Sequence, residues 1–175
     1  SEEEALQVED EWRGRSKLPD YTIDILNRLP ATTHPMTMFS MAILSMHNES
    51  VFSPRYIDGM KKSEYWDSYL EDSLNLTAHL PSLAAYIYNL KYREGKQIEP
   101  DPKLDWAANF AHMIGKGSNK EYVELSRLFF FLHADHEGGN VSAHTSYIVA
   151  SALADVYYAV SAGMDGLAGP RHGLA

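Results

Sequence analysis

A chain of 175 residues with a net charge of −9 and no cysteine is long enough for one domain with a real core, since about 68–70% of the unfolded surface is buried near this size. The acidic balance argues against general nucleic-acid or membrane-surface binding, which want a basic face, so an anionic ligand must meet locally placed cations. The lack of cysteine excludes a disulfide framework, thiolate chemistry and Cys-ligated zinc. There is no apolar run of about 18 residues or more, and the acidic start Ser1-Glu-Glu-Glu is neither a signal nor a transit sequence.

The pattern is helical almost throughout. Ser1 and Glu4 match a capping box, and Ala5, Val8 and Trp12 follow at helical spacing, which predicts an amphipathic helix over 2–15. Pro19 ends that unit. Residues 21–29 carry Ile23, Ile25, Leu26 and Leu29 at helical spacing before Pro30. Pro35 suits a first helical turn, and 36–46 is then apolar nearly all the way round, which predicts burial on more than one side. Residues 58–93 are too long for a single compact helix, with Pro81 as the expected kink. Residues 95–103, with Gly95, Pro100 and Pro102, read as a loop. Helices are predicted over 104–114 and 120–132, and a last helical stretch rich in Ala, Ser and Val over 142–162 permits close helix approach. No alternating strand run with hairpin turns and no repeat period is visible, so the fold class is all-α.

The chemistry concentrates in His133-Ala-Asp-His-Glu-Gly-Gly-Asn-Val-Ser-Ala-His144, between the apolar run 128–132 and the small-residue run 148–154. Polar groups buried between core-seeking segments need partners, because each unpaired one costs about 1–3 kcal/mol. Ligand binding is one way to supply them. A helix-terminal network is another, with Asn140 and Ser142 capping the next helix and the histidines bonded to backbone carbonyls. His133, His136 and His144 with Asp135 or Glu137 could offer metal ligands, but no His-Glu-x-x-His is present and the spacing fits no standard zinc pattern, so no metal is expected. Ser142 and Ser146 lie in Ala-rich helical surroundings with no Gly-x-Ser-x-Gly elbow, which speaks against a serine hydrolase. A second signal closes the chain, Gly166-Leu-Ala-Gly-Pro-Arg-His-Gly-Leu-Ala175, with His172 held on a turn.

These two motifs resemble citrate synthase of the mitochondrial eukaryotic type. The resemblance runs upstream through Leu18-Pro19, His34-Pro-Met36, Tyr65-Trp66, Leu80-Pro81, Tyr92-Arg-Glu-Gly95 and Lys103-Leu-Asp-Trp106, in family order, and so covers essentially the whole chain. It implies that residues 1–175 are part of the large helical domain, with the small domain and the remaining helices outside them. It implies condensation of acetyl-CoA with oxaloacetate to citrate and CoA through an enol, the first step of the tricarboxylic acid cycle, in the mitochondrial matrix. No cofactor is implied, acetyl-CoA being a substrate.

By the same resemblance His172 is the catalytic histidine that hydrogen-bonds the thioester carbonyl, and His136 binds oxaloacetate. His133, Asn140, Ser142 and His144 position those two imidazoles, and Lys61 and Lys62 stand where the family carries a basic group for the CoA phosphates. A homodimer is implied, with helices 34–48 and 61–93 packed against their copies. The family's second catalytic histidine, its aspartate base and its oxaloacetate-binding arginines lie further along. The isolated chain is therefore expected to be inactive without a C-terminal segment or a companion chain. Asp165, Arg171, Tyr147 and Val156 depart from the family's common residues. Two other readings stay open at this stage: a 2-methylcitrate synthase using propionyl-CoA, and a non-catalytic protein on the same scaffold.

Overall fold

The computed structural model describes residues 1–134 and 138–173, and among these it holds helices and turns but no strand. The α-helices are α1 (Glu2–Arg15), α2 (Asp20–Arg28), α3 (Pro35–Ser45), α4 (Phe52–Ile57), α5 (Tyr65–Tyr92), α6 (Trp106–Met113), α7 (Lys120–Leu132), α8 (Val141–Ser151) and α9 (Val156–Leu167). The all-α expectation holds. The chain forms two compact units, the first made of Ser1–Leu18 and Thr77–His136, the second of Pro19–Leu76 and Glu137–Ala175.

In the first unit α1 starts as predicted, with a reciprocal capping box between Ser1 and Glu4. Its apolar face is not core, however. None of its residues is buried, and Leu6 and Val8 are exposed. The packed centre lies instead among Ala85, Met113 and Ile114, with Tyr88, Phe110 and Tyr122 against them. Pro81, the expected kink, lies inside α5, which runs 28 residues. Proline has no N–H, so the carbonyl four residues back, that of Thr77, loses its helical partner. The Trp106 indole Nε1–H replaces it at 3.1 Å. Asp105 caps α6 by accepting from the Ala108 N–H at 2.9 Å and also accepts from Arg127 Nε–H at 3.0 Å, which ties the start of α6 to α7. Burial alone would raise its pKa. The hydrogen bonds from Arg127 and the backbone outweigh that and hold the carboxyl below its ordinary value.

The second unit packs α3 and α8 against α9. Small residues allow the approach of α3: Ser40 Oγ lies 3.0 Å from Ser161 Oγ, and the Ser161 hydroxyl donates to Ser40 O at 2.9 Å. Met38, Ser40, Ala42 and Ile43 are buried, but Met41 and Leu44 remain 40% and 43% exposed. The expected burial of this helix on more than one side is therefore not met by residues of this chain. Asp72, fully buried, accepts from Ser50 Oγ at 2.9 Å and from the Val51 and Phe52 N–H groups at 2.6 and 3.3 Å. It thereby serves the unpaired donors that start α4, a helix the sequence reading left out. Burial pushes its carboxyl up in spite of those donors.

The single stretch expected over 142–162 is two helices. Leu153 takes a left-handed φ of 60° after α8, and Asp155 then begins α9. The Asp155 carboxylate is the reason a new helix starts there. One oxygen accepts from the Tyr158 N–H at 3.1 Å, while the other meets Ser53 Oγ at 2.8 Å and His47 Nδ1 at 2.5 Å.

Candidate active site

The N-terminus of α8 and the turn after α9 bring together three of the predicted site residues. Asn140 is the N-cap of α8, and its Oδ1 accepts the Ala143 N–H at 2.9 Å, which satisfies one of the helix's orphan donors. That bond fixes which end of the amide points inward. The same Oδ1 accepts the Ser142 hydroxyl at 2.6 Å, and Ser142 Oγ lies 2.9 Å from His172 Nε2. A hydroxyl has one proton. If that proton goes to Asn140, Ser142 Oγ accepts from a protonated Nε2; if it turns to His172, it donates to an unprotonated Nε2, and in either case Nδ1 is the nitrogen left for a ligand.

Glycines make this meeting possible. A Cβ at Gly163 would stand 2.2 Å from Ser146 Oγ and 3.1 Å from Ser142 O, and one at Gly166 would stand 3.3 Å from Ser142 Cα. Their absence lets α9 lie directly along the first turns of α8. The turn that follows is held by His172 N–H to Gly169 O at 3.0 Å and Gly173 N–H to Leu167 O at 3.1 Å. A Cβ at Gly173 would meet Leu167 O at 2.7 Å. A packing role for Gly163 and Gly166 was not read from the sequence, although their three-residue spacing puts them on one helix face.

The remaining expected residues are placed as follows. His133 is the C-cap of α7 and belongs to the first unit. Its ring is stacked on Phe129 at 4.1 Å, and its Nδ1 donates to Phe129 O at 2.8 Å. His144 is exposed, and its ring makes no hydrogen bond to another described residue. Lys61 and Lys62 are exposed just before α5. His136, with Asp135 and Glu137, lies outside the described residues. Among the described residues no group of His, Asp and Glu is arranged to hold a metal ion. A pocket in the first unit, bordered by Trp12, Pro81, Pro100, Pro102 and Trp106, contains none of the site residues.

The family model "Citrate synthase, C-terminal domain" matches residues 1–175. The chain belongs to the citrate synthase family. It is 49% identical over 176 residues to a probable mitochondrial citrate synthase of Glossina morsitans morsitans, covering all of this chain and 38% of that protein. A mitochondrial citrate synthase of Kajikia audax is also 49% identical, again across the whole chain and 37% of the relative. The chain thus spans less than two-fifths of these relatives' length. The crystal structure of citrate synthase from Pyrobaculum aerophilum superposes with a TM-score of 0.87 at 26% identity, covering 99% of this chain and 43% of that one. The Thermotoga maritima enzyme shares the fold, with a TM-score of 0.76 at 22% identity.

Proposed function

We propose that the chain is part of the large domain of an enzyme that condenses acetyl-CoA with oxaloacetate, giving citrate and free CoA at the entry to the tricarboxylic acid cycle. The hydrogen-bonded run Asn140–Ser142–His172, in a chain of the citrate synthase family, is the observation that carries this reading. In it His172 donates to the thioester carbonyl as the methyl loses its proton, so that negative charge developing on oxygen meets a placed N–H.

That role requires the proton on Nδ1, since Nε2 faces Ser142. In the Nδ1–H tautomer Ser142 turns its hydroxyl to donate to Nε2 and releases Asn140 Oδ1, which keeps its bond to the Ala143 N–H. The hydroxyl can serve either tautomer, and Asn140 and the first turn of α8 hold it in place. His136 binds oxaloacetate, His133 and His144 support the imidazoles, and Lys61 and Lys62 meet the CoA phosphates. No cofactor takes part. The names of the relatives support a mitochondrial protein, and the matrix is the compartment where the cycle's substrates meet.

Steady-state CoA release by the full-length protein tests this. Acetyl-CoA is expected to exceed propionyl-CoA in kcat/KM by about 10–200-fold, the discrimination one methylene allows. Equal or better use of propionyl-CoA would make it a 2-methylcitrate synthase, and no release with either would leave a non-catalytic scaffold. Exposed Met41 and Leu44 on α3 and Trp66, Leu70 and Tyr92 on α5 support a homodimer in which these helices meet their copies. Light scattering should give twice the subunit mass at micromolar concentration; a stable monomer would sink this assembly.

A further inference from the structure

Two adjacent glycines, Gly138 and Gly139, lead into Asn140, the residue that caps α8 and stands against the Ser142 hydroxyl. Neither takes a left-handed φ, so the backbone conformation does not call for glycine at either position. A glycine pair is also the most freely moving entry a cap could have. Their surroundings differ. A Cβ at Gly139 would meet nothing within 4 Å, whereas one at Gly138 would stand 2.8 Å from Tyr147 Cε2 and 3.5 Å from the Tyr147 hydroxyl oxygen. Tyr147 lies about two turns beyond Asn140 on the same face of α8. Side chains on a helix lean back toward its N-terminus, which carries this ring over the incoming turn. Its side chain is otherwise 60% exposed, and its hydroxyl makes no hydrogen bond to another described residue.

We propose that Tyr147 is a positioning residue for the condensation, its ring holding the Gly138-Gly139 turn so that Asn140 and the start of α8 keep Ser142 against His172. The role rests on the function proposed above. Tyr147 acts through Asn140, whose Oδ1 stands 2.9 Å from the Ala143 N and 2.6 Å from Ser142 Oγ. A shift of the turn displaces that oxygen, and with it the first turn of α8 that places Ser142 Oγ 2.9 Å from His172 Nε2. Misplacement of about 1 Å is enough to slow an enzymatic step by up to about 10²-fold. Gly138 is the other half of the contact, since any Cβ there must displace either the ring or the turn.

The test is a double-mutant cycle on kcat in the full-length protein, with Tm measured on each variant. Tyr147→Ala should lower kcat about 5–20-fold and leave the acetyl-CoA KM within about twofold. Tyr147→Phe, which keeps the ring, should stay within about twofold of the unsubstituted protein. Gly138→Ala should cost about as much as Tyr147→Ala, but less than about twofold more when Tyr147 is already Ala, because the two residues make one contact. Gly139→Ala should be nearly silent. Every variant should keep its Tm within about 3 °C, the substituted side chain being largely exposed. Unchanged kcat in Tyr147→Ala, an equal loss in Tyr147→Phe, additive losses in the double variant, or equal damage from Gly139→Ala overturns the assignment. So does a kcat loss that comes only with a Tm fall beyond about 5 °C, which marks a residue of general stability. No CoA release by the unsubstituted protein would strike the proposed function instead, so the two failures are distinguishable.

Discussion

Replacing His172 with Ala in the full-length protein is expected to lower kcat by about 10²–10³-fold while leaving oxaloacetate affinity largely intact. A placed donor acting on charge that develops only in the transition state contributes on this scale, and its loss appears in kcat more than in ground-state binding. The surroundings favour a clean reading. Asn140 keeps its cap on Ala143 and its bond from Ser142 when the imidazole is gone, and the turn at 169–173 is held by backbone bonds. Local structure is thereby kept while one chemical group is removed. Steady-state kinetics and calorimetry on the same preparation check it. A loss confined to oxaloacetate affinity, with kcat unchanged, would remove His172 from the thioester.

Asp155→Ala should destabilise the second unit by about 2–4 kcal/mol. Three donors lose their acceptor together: the Tyr158 N–H at the start of α9, the Ser53 hydroxyl and His47 Nδ1. The side chain is fully buried, so water cannot readily replace it. The damage also travels, because α9 carries the turn that presents His172 to Ser142. A fall of about 4 °C or more in Tm is expected. A fall under about 1 °C would mean that α9 is not fastened through this carboxylate.

These residues also mark where local sequence is enough and where it is not. The Ser1–Glu4 capping box, Pro35 in the first turn of α3 and Asn140 at the start of α8 act through atoms a few residues away, and each element began where its signal stood. The break between α8 and α9 could not be read this way. No glycine or proline falls between Ser151 and Asp155, and the restart depends on His47 and Ser53, about a hundred residues earlier. Nor could the helix's continuation past Pro81 be read locally, since the donor that takes up the freed Thr77 carbonyl belongs to Trp106. Likewise α4 is short, and it is completed by Asp72, twenty residues on.

The site divides along the same line. The polar cluster and the turn histidine were visible as composition, and their pairing came from family resemblance. Spacing alone gives no reason for Ser142 to meet a histidine thirty residues away. That contact depends on Gly163 and Gly166, whose lack of a side chain matters only once α8 and α9 lie together.

The most direct measurement follows the acyl methyl carbon itself. Full-length protein given acetyl-CoA labelled with carbon-13 at the methyl, plus unlabelled oxaloacetate, should place the label in a methylene carbon of citrate, with one CoA released per citrate formed. Label recovered as free acetate, or CoA release that does not depend on oxaloacetate, would show a thioester hydrolase and contradict the condensation.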